Sequence, residues 1–207
     1  MSAEKKQEFL IQIIPLFLKY GFRSMGVDDI SKELGISKKT LYQAFKDKNE
    51  IVFEAVSAIM CQEQDISKEI TATSENAIDE MIQISKLITQ KFEVLHPSVH
   101  FEISKYYPAA YKLFNEHKTE FVFSSIKENI IRGINEGLYR NNLDPNIISG
   151  LFVHKMELFL DRSGFGGKDY SFKEVYLEMI RYHIRGLASE KGRNYLKERI
   201  KDETLNF

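Results

Sequence analysis

The chain has 207 residues and a formal net charge of −1, which fits one large domain or a small domain joined to a larger one. Its 43% apolar and 12% aromatic content suffices for a packed core and excludes global disorder. Cys61 is the only cysteine, which rules out an intrachain disulfide and a cysteine metal cluster. The N-terminal segment lacks the apolar core of a signal peptide, and no apolar run approaches the ~18–20 residues of a membrane helix. We therefore expect a soluble cytoplasmic protein with no cofactor, no metal and no membrane partner.

Helical periodicity dominates the chain, and no run alternates as a strand would. The first predicted helix spans about residues 5–20, with Pro15 inside it and Gly21 at its end. The sequence thus predicts an all-α fold of about nine to ten helices.

Two short helices joined by a glycine follow the first helix. The earlier one spans about 27–34, Gly35 makes the turn, and the later one spans about 38–45 with Ser37 as its N-cap. This succession is typical of a helix-turn-helix, in which the later helix enters the major groove of DNA.

The later helix buries Leu41 and Phe45 and so exposes a polar outer face. The residues of that face are Lys38, Lys39, Thr40, Tyr42 and Gln43. Between Lys32 and Lys48 there are five lysines and two acidic residues, a local excess of positive charge in a nearly neutral chain. Side chains of these types hold phosphates and contact base edges. We therefore predict that this face binds DNA.

Further helices make up the rest of the chain. Asp47 and Glu50 resemble a capping box at the start of a helix that we predict to end near 67, and a polar joint follows at 71–76. The remaining predicted helices span about 75–95, 98–106, 109–135, 146–162 and 171–188, with a shorter basic one to about 201. We predict a helix-turn-helix domain at 1–50 and a larger helical domain at 51–207.

The segment 9–51 resembles the TetR family of bacterial transcriptional regulators. The motifs that carry the resemblance are Phe17-x-x-x-Gly21-Phe22, Val27-x-Asp29-Ile30, the run LGISKKTLY at 34–42, and Phe45-x-x-Lys48. The chain departs from the pattern at Gly26, where the family usually has a hydroxyl residue that caps a helix and contacts a phosphate.

The resemblance implies residue roles and partners. The positions of Tyr42 and Lys48 typically hold backbone phosphates in that family, and those of Lys38, Lys39, Thr40 and Gln43 line the groove. It also implies a homodimer on a double-stranded, palindromic operator, a small-molecule ligand that changes DNA affinity, and a role as repressor. The larger domain would then be the ligand-binding and dimerisation domain.

Two sets of residues in the larger domain are candidates for those functions. Aromatic residues could line a ligand pocket, although packing in the core would explain most of them without a ligand; the candidates are Phe92, Phe101, Tyr106, Tyr107 and Phe121. The helices at about 146–162 and 171–188 carry apolar stripes wider than one buried face requires, which predicts a four-helix dimer interface. Its candidate residues are Phe152, Met156, Phe159, Tyr176 and Ile180.

Other interpretations compete with a DNA-binding regulator. A helical module that binds protein is one alternative, against which the lysine excess and Tyr42 argue. A small helical enzyme is another, but the sequence has no nucleophile–base pair or metal set at recognisable spacing. His96 and His100 stand four apart, yet Pro97 lies between them, and we expect surface or capping histidines there. We expect a loop at 163–168 whose glycines lack the pattern of a phosphate-binding loop.

Overall fold

Helices form wherever apolar residues recur at three-to-four spacing, and the all-α prediction is confirmed. The computed structural model describes residues 3–94, 96, 98–160 and 170–202, with the backbone alone at 3, 92–94, 157–160 and 200–202. Its helices are α1 (Ala3–Tyr20), α2 (Val27–Glu33), α3 (Lys38–Ala44), α4 (Lys48–Thr73), α5 (Ala77–Val94), α6 (Val99–Tyr106), α7 (Pro108–Glu116), α8 (Phe123–Asn135), α9 (Pro145–Leu160), α10 (Phe172–Leu187) and α11 (Glu190–Asp202). A π-helical segment, His117–Val122, joins α7 to α8. Counted as one, this continuous stretch gives ten helices among the described residues.

The helices form two compact units. The first comprises Met1–Asp65 with Val94–His117, and the second comprises Ile66–Glu93 with Lys118–Phe207. This division falls at other residues than the predicted boundary after residue 50. None of the described helices is both long enough and apolar enough to cross a bilayer.

The core of the first unit joins α6 and α7 to the helix-turn-helix. Phe17, Phe22, Ile30 and Leu41 are completely buried in it. The same cluster contains four residues from α6, α7 and the residue between them, namely Val99, Ile103, Tyr107 and Ala110. Burial of apolar surface therefore fixes α6 against the N-terminal helices.

The core of the second unit lies among α5, α8, α9, α10 and α11. Its largest fully buried side chains include Ile78, Met81, Ile130 and Ile180. Tyr139, also fully buried, donates its hydroxyl to the Ala77 carbonyl, so the polar end of the ring is satisfied.

Arg132 of α8 holds the C-terminal end of α4. Its guanidinium donates to the carbonyls of Ser74 at 2.8 Å and Thr71 at 3.2 Å, and it pairs with the carboxylates of Glu80 and Glu136 at 3.1 and 2.8 Å. Helix ends leave carbonyls without intrahelical donors, and a cation there is favourable. This cap accounts for the extension of α4 to Thr73, six residues past its predicted end.

Candidate nucleic-acid interface

Local capping fixes α3. The Ser37 hydroxyl accepts a hydrogen bond from the Thr40 amide at 3.1 Å, as an N-cap serine should. Leu41 and Phe45 are 0% and 1% exposed and attach the helix to the core. Gly35 has a φ of +65°, which the turn from α2 requires.

The outer face of α3 is open to solvent. Lys38, Lys39, Tyr42 and Gln43 are exposed, and Thr40 is half-buried with its hydroxyl 2.8 Å from that of Ser37. Lys38 forms an ion pair with Asp28 of α2. The structure therefore brings the five predicted residues onto one short helix whose other side is buried.

Gly26 caps α2 without a side chain. Its backbone amide donates to the Asp29 carboxylate at 2.9 Å. Asp29 thus supplies the side-chain-to-backbone hydrogen bond of a capping box. Position 26 has no hydroxyl group that could contact a phosphate.

Lys48 begins α4 and is half-buried. Its ammonium donates to the Arg23 carbonyl at 3.1 Å. Burial lowers the pKa of Lys48, while the carboxylates of Glu102 and Asp29 act in the opposite direction. An ammonium has three donors, so one bond to a carbonyl leaves Lys48 able to bind a phosphate.

Arg23 is a cation of this region that the sequence did not single out. It lies in the turn between α1 and α2, and its guanidinium carbon lies 4.4 Å from the ring centre of Tyr106. One of its nitrogens donates to the Tyr106 hydroxyl at 2.5 Å. Only the fold brings Arg23 next to Lys48, so no sequence pattern would have identified it.

The predicted pocket aromatics lie in different surroundings. Tyr107 is buried in the core of the first unit, and Tyr106 packs against that core. Phe101 is 56% exposed. Phe121 is half-buried in the π-helical segment of the second unit, and the side chain of Phe92 lies outside those described.

The predicted dimer residues are mostly buried within the chain itself. Phe152, Tyr176 and Ile180 are 5%, 3% and 0% exposed, and Met156 packs partly buried against the same core. The side chain of Phe159 lies outside those described. Among the described side chains of α9 and α10, the large apolar ones left exposed are Ile147, Leu151 and Tyr182.

A groove of about 490 Å³ runs along this exposed face of α9 and α10. Leu151, Lys155, Tyr182 and Arg185 are among its lining residues. His183 also lines it, and its ring centre lies 4.8 Å from that of Phe152 with the two rings tilted by 57°. Burial, with a smaller contribution from Lys155, lowers the pKa of His183 to about 4, so its ring is neutral at pH 7.

The paired histidines have other partners than a metal. The Nδ1 atom of His96 lies 2.8 Å from the Ser98 hydroxyl. His100 packs edge-on against Tyr111 and Phe114. Among the described residues no cluster of histidine, cysteine and carboxylate side chains is arranged to hold a metal ion. The predicted glycine loop at 163–168 lies outside the described residues.

Comparison with known proteins confirms the resemblance. The family model for bacterial regulatory proteins of the tetR family matches residues 14–55. No curated protein matches the chain in sequence.

Solved structures show the same fold over nearly the whole chain. A Saccharomonospora viridis protein in complex with choline has a TM-score of 0.73 and 16% identity, over 91% of this chain and 100% of that one. Escherichia coli NemR in its reduced form has a TM-score of 0.71 and 13% identity, over 90% and 98%. A TetR-family transcriptional regulator from Agrobacterium tumefaciens has a TM-score of 0.70 and 14% identity, over 90% and 98%. Residues 14–55 are therefore similar to the N-terminal domain of tetR-family regulators, and the chain shares its fold with these solved structures.

Proposed function

We propose, from the TetR-type domain and fold, that this protein is a cytoplasmic transcriptional repressor that binds a palindromic operator as a homodimer. The observation that carries the proposal is the outer face of α3. Lys38, Lys39, Tyr42 and Gln43 project from a short, capped helix that Leu41 fastens to the core. The protein would act by binding and not by catalysis.

Within this proposal the six predicted DNA-binding residues divide into two roles. Tyr42 and Lys48 hold backbone phosphates and set the orientation of the domain on the duplex. Lys38, Lys39, Thr40 and Gln43 line the major groove, where amide and hydroxyl groups distinguish bases.

Dimerisation would use the exposed face of α9 and α10. Ile147, Leu151 and Tyr182 are 62%, 52% and 70% exposed in the single chain. Tyr176 and Ile180 are already buried in the chain's own core, so the proposed interface is this exposed face and does not use those two residues. Binding to a palindromic operator would require the dimer to present its two α3 helices to successive major grooves, about 34–36 Å apart.

Regulation would come from a small molecule that prefers one arrangement of the paired domains. Such a ligand lowers DNA affinity by its own difference in affinity between the two arrangements. The neighbouring structure in complex with choline supports a small-molecule site in proteins of this fold. We retain Phe92, Phe101, Tyr106, Tyr107 and Phe121 as the proposed aromatic contacts, although Tyr106 and Tyr107 lie with the N-terminal helices.

A salt titration of binding to random duplex DNA tests the proposal. Because phosphate contacts release counterions, the logarithm of the association constant should fall linearly with the logarithm of salt concentration. Lys39→Glu on α3 should weaken binding strongly, whereas Lys112→Glu on α7 is the matched control and should bind as wild type does. A protein-binding module would show no salt-dependent affinity for DNA, and that result would overturn the proposal.

A further inference from the structure

Glu102 of α6 is a buried carboxylate whose partners lie in the N-terminal helices. It is 7% exposed. It accepts the backbone amide of Arg23 at 2.8 Å and the hydroxyl of Ser98 at 2.7 Å. A buried charge is costly unless it is paired and hydrogen-bonded, so these contacts hold Glu102 in one place.

The turn between α1 and α2 is shaped around this carboxylate. Gly21 has a φ of +88°, and a Cβ atom there would lie 2.9 Å from a carboxylate oxygen of Glu102. Only glycine meets both conditions without strain. Next to this turn, the backbone amide of His96, which precedes α6, donates to the Leu18 carbonyl near the end of α1 at 2.7 Å.

Lys48 bonds to the same turn. Glu102 accepts the amide of Arg23, and Lys48 donates to the carbonyl of Arg23 at 3.1 Å. The negative charge of Glu102 favours the charged form of Lys48. One turn further along α6, Tyr106 holds the side chain of Arg23 by its ring face and its hydroxyl. Two residues of α6 thus hold the backbone amide and the side chain of Arg23, and Lys48 bonds to the carbonyl of that same residue.

We propose that Glu102 and Tyr106 are positioning residues for DNA binding, which hold Lys48 and Arg23 where both can meet the phosphate backbone. This inference rests on the proposed function and adds Arg23 as a phosphate contact. A long lysine side chain that is already ordered loses less conformational freedom when it binds, so the hold on Lys48 raises affinity. Glu102 itself does not touch DNA in this arrangement.

The sign of the effect separates this role from simple electrostatics. If the carboxylate of Glu102 only repelled phosphates, the Glu102→Gln substitution would make DNA binding tighter. A positioning carboxylate would leave it weaker, because the bond to the Arg23 amide loses its charge. Since hydrogen bonds to charged groups are roughly twice as strong as neutral ones, we expect an affinity loss of about three- to tenfold.

The experiment measures duplex DNA affinity for Glu102→Gln, Glu102→Asp and Tyr106→Phe, each in wild-type, Lys48→Ala and Arg23→Ala backgrounds. Glu102→Asp keeps the charge but withdraws the carboxylate by one methylene, so it should weaken binding as Glu102→Gln does. Both losses should disappear in the Lys48→Ala background, since interacting residues are non-additive. Tyr106→Phe removes only the hydroxyl, and its smaller loss should disappear with Arg23→Ala instead. Lys112→Ala is the control, and the thermal unfolding midpoint checks that each variant folds.

Several outcomes would overturn the inference. Tighter binding by Glu102→Gln, or losses that persist unchanged without Lys48, would exclude positioning. If Lys48→Ala weakens DNA binding but no Glu102 variant does, this inference is refuted while the proposed function stands. Absence of salt-dependent DNA binding by the wild type would refute the proposed function, and this inference with it.

Discussion

Lys48 shows how one side chain serves both the fold and a proposed contact. It is half-buried, it bonds to the Arg23 carbonyl, and it keeps donors for a phosphate. We predict that Lys48→Ala weakens binding to all duplex sequences and lowers the magnitude of the salt slope by about one phosphate contact. Affinity measured over a range of salt concentrations checks this, with Lys112→Ala as a control of equal charge change. An unchanged slope would remove Lys48 from the interface.

Sequence preference should depend on other residues of α3. Gln43 is exposed, and the Thr40 hydroxyl lies beside that of Ser37 at the start of the helix. Gln43→Ala or Thr40→Ala should cost ~1–3 kcal/mol at one base position of the operator and little elsewhere. Binding to an operator library with each base pair varied measures this, and Thr40→Ser, which keeps the hydroxyl, is the control. If both alanine variants keep the wild-type preference everywhere, another surface selects the bases.

The two groups of residues at this site differ in how far sequence could identify them. The exposure of Lys39, Tyr42 and Gln43 follows from helical periodicity and from the cap at Ser37, which are local signals. The contacts of Arg23 and Glu102 join residues 79 positions apart, and each residue type is ordinary at its place in the chain. Periodicity carries no information on such pairs, so only the fold reveals them.

The same distinction holds for whole helices. The starts of α2 and α3 agree with prediction because Gly26, Ser37 and the residues that follow them form the caps locally. The end of α4 lies beyond the predicted one, because the cation that caps it, Arg132, lies about sixty residues further along the chain. The change to π-helical winding at His117–Val122 lies inside a correctly predicted helical stretch, where the apolar spacing gives no sign of it.

Protonation of His183 on α10 should change the free energy of unfolding as the pH is varied. The folded-state pKa of His183 is lowered from 6.5 to about 4, so the unfolded chain binds its proton first as pH falls. Stability is then complete above pH 6.5 and declines between 6.5 and 4, by about 2 kcal/mol at pH 5 from this residue. Denaturant unfolding at pH 8, 6.5 and 5 measures the decline. His183→Leu should flatten it, and an equal decline in that variant would assign the effect to other groups.

At the scale of the molecule, the two compact units do not follow the order of the chain. The sequence predicts a boundary after residue 50, where the helix-turn-helix motif ends. The structure instead groups α6 and α7 with α1, α2 and α3 through the shared core of Val99, Ile103 and Tyr107. A segment assigned by sequence to regulation therefore shares its core with the proposed DNA-binding helices.

The proposed dimer requires an apolar face that the single chain leaves uncovered. On α9 and α10 that face contains Ile147, Leu151 and Tyr182, while Ile180 is 0% exposed in the chain's own core. We predict that the wild type sediments as a dimer at micromolar concentration. Leu151→Glu or Tyr182→Glu should yield folded monomers, because either change places an unpaired charge at the proposed interface.

Ile180→Glu on the same helix is the matched contrast that separates dimerisation from folding. It buries a charge inside the second unit, so it should cost several kcal/mol and lower the unfolding temperature and helix content. Leu151→Glu and Tyr182→Glu should keep the wild-type unfolding temperature and helix content. They should nevertheless bind operator DNA far more weakly, because two linked DNA-binding domains bind with an avidity that a single domain lacks. A wild type that sediments as a monomer, or monomeric variants with undiminished operator affinity, would contradict the paired-domain mechanism.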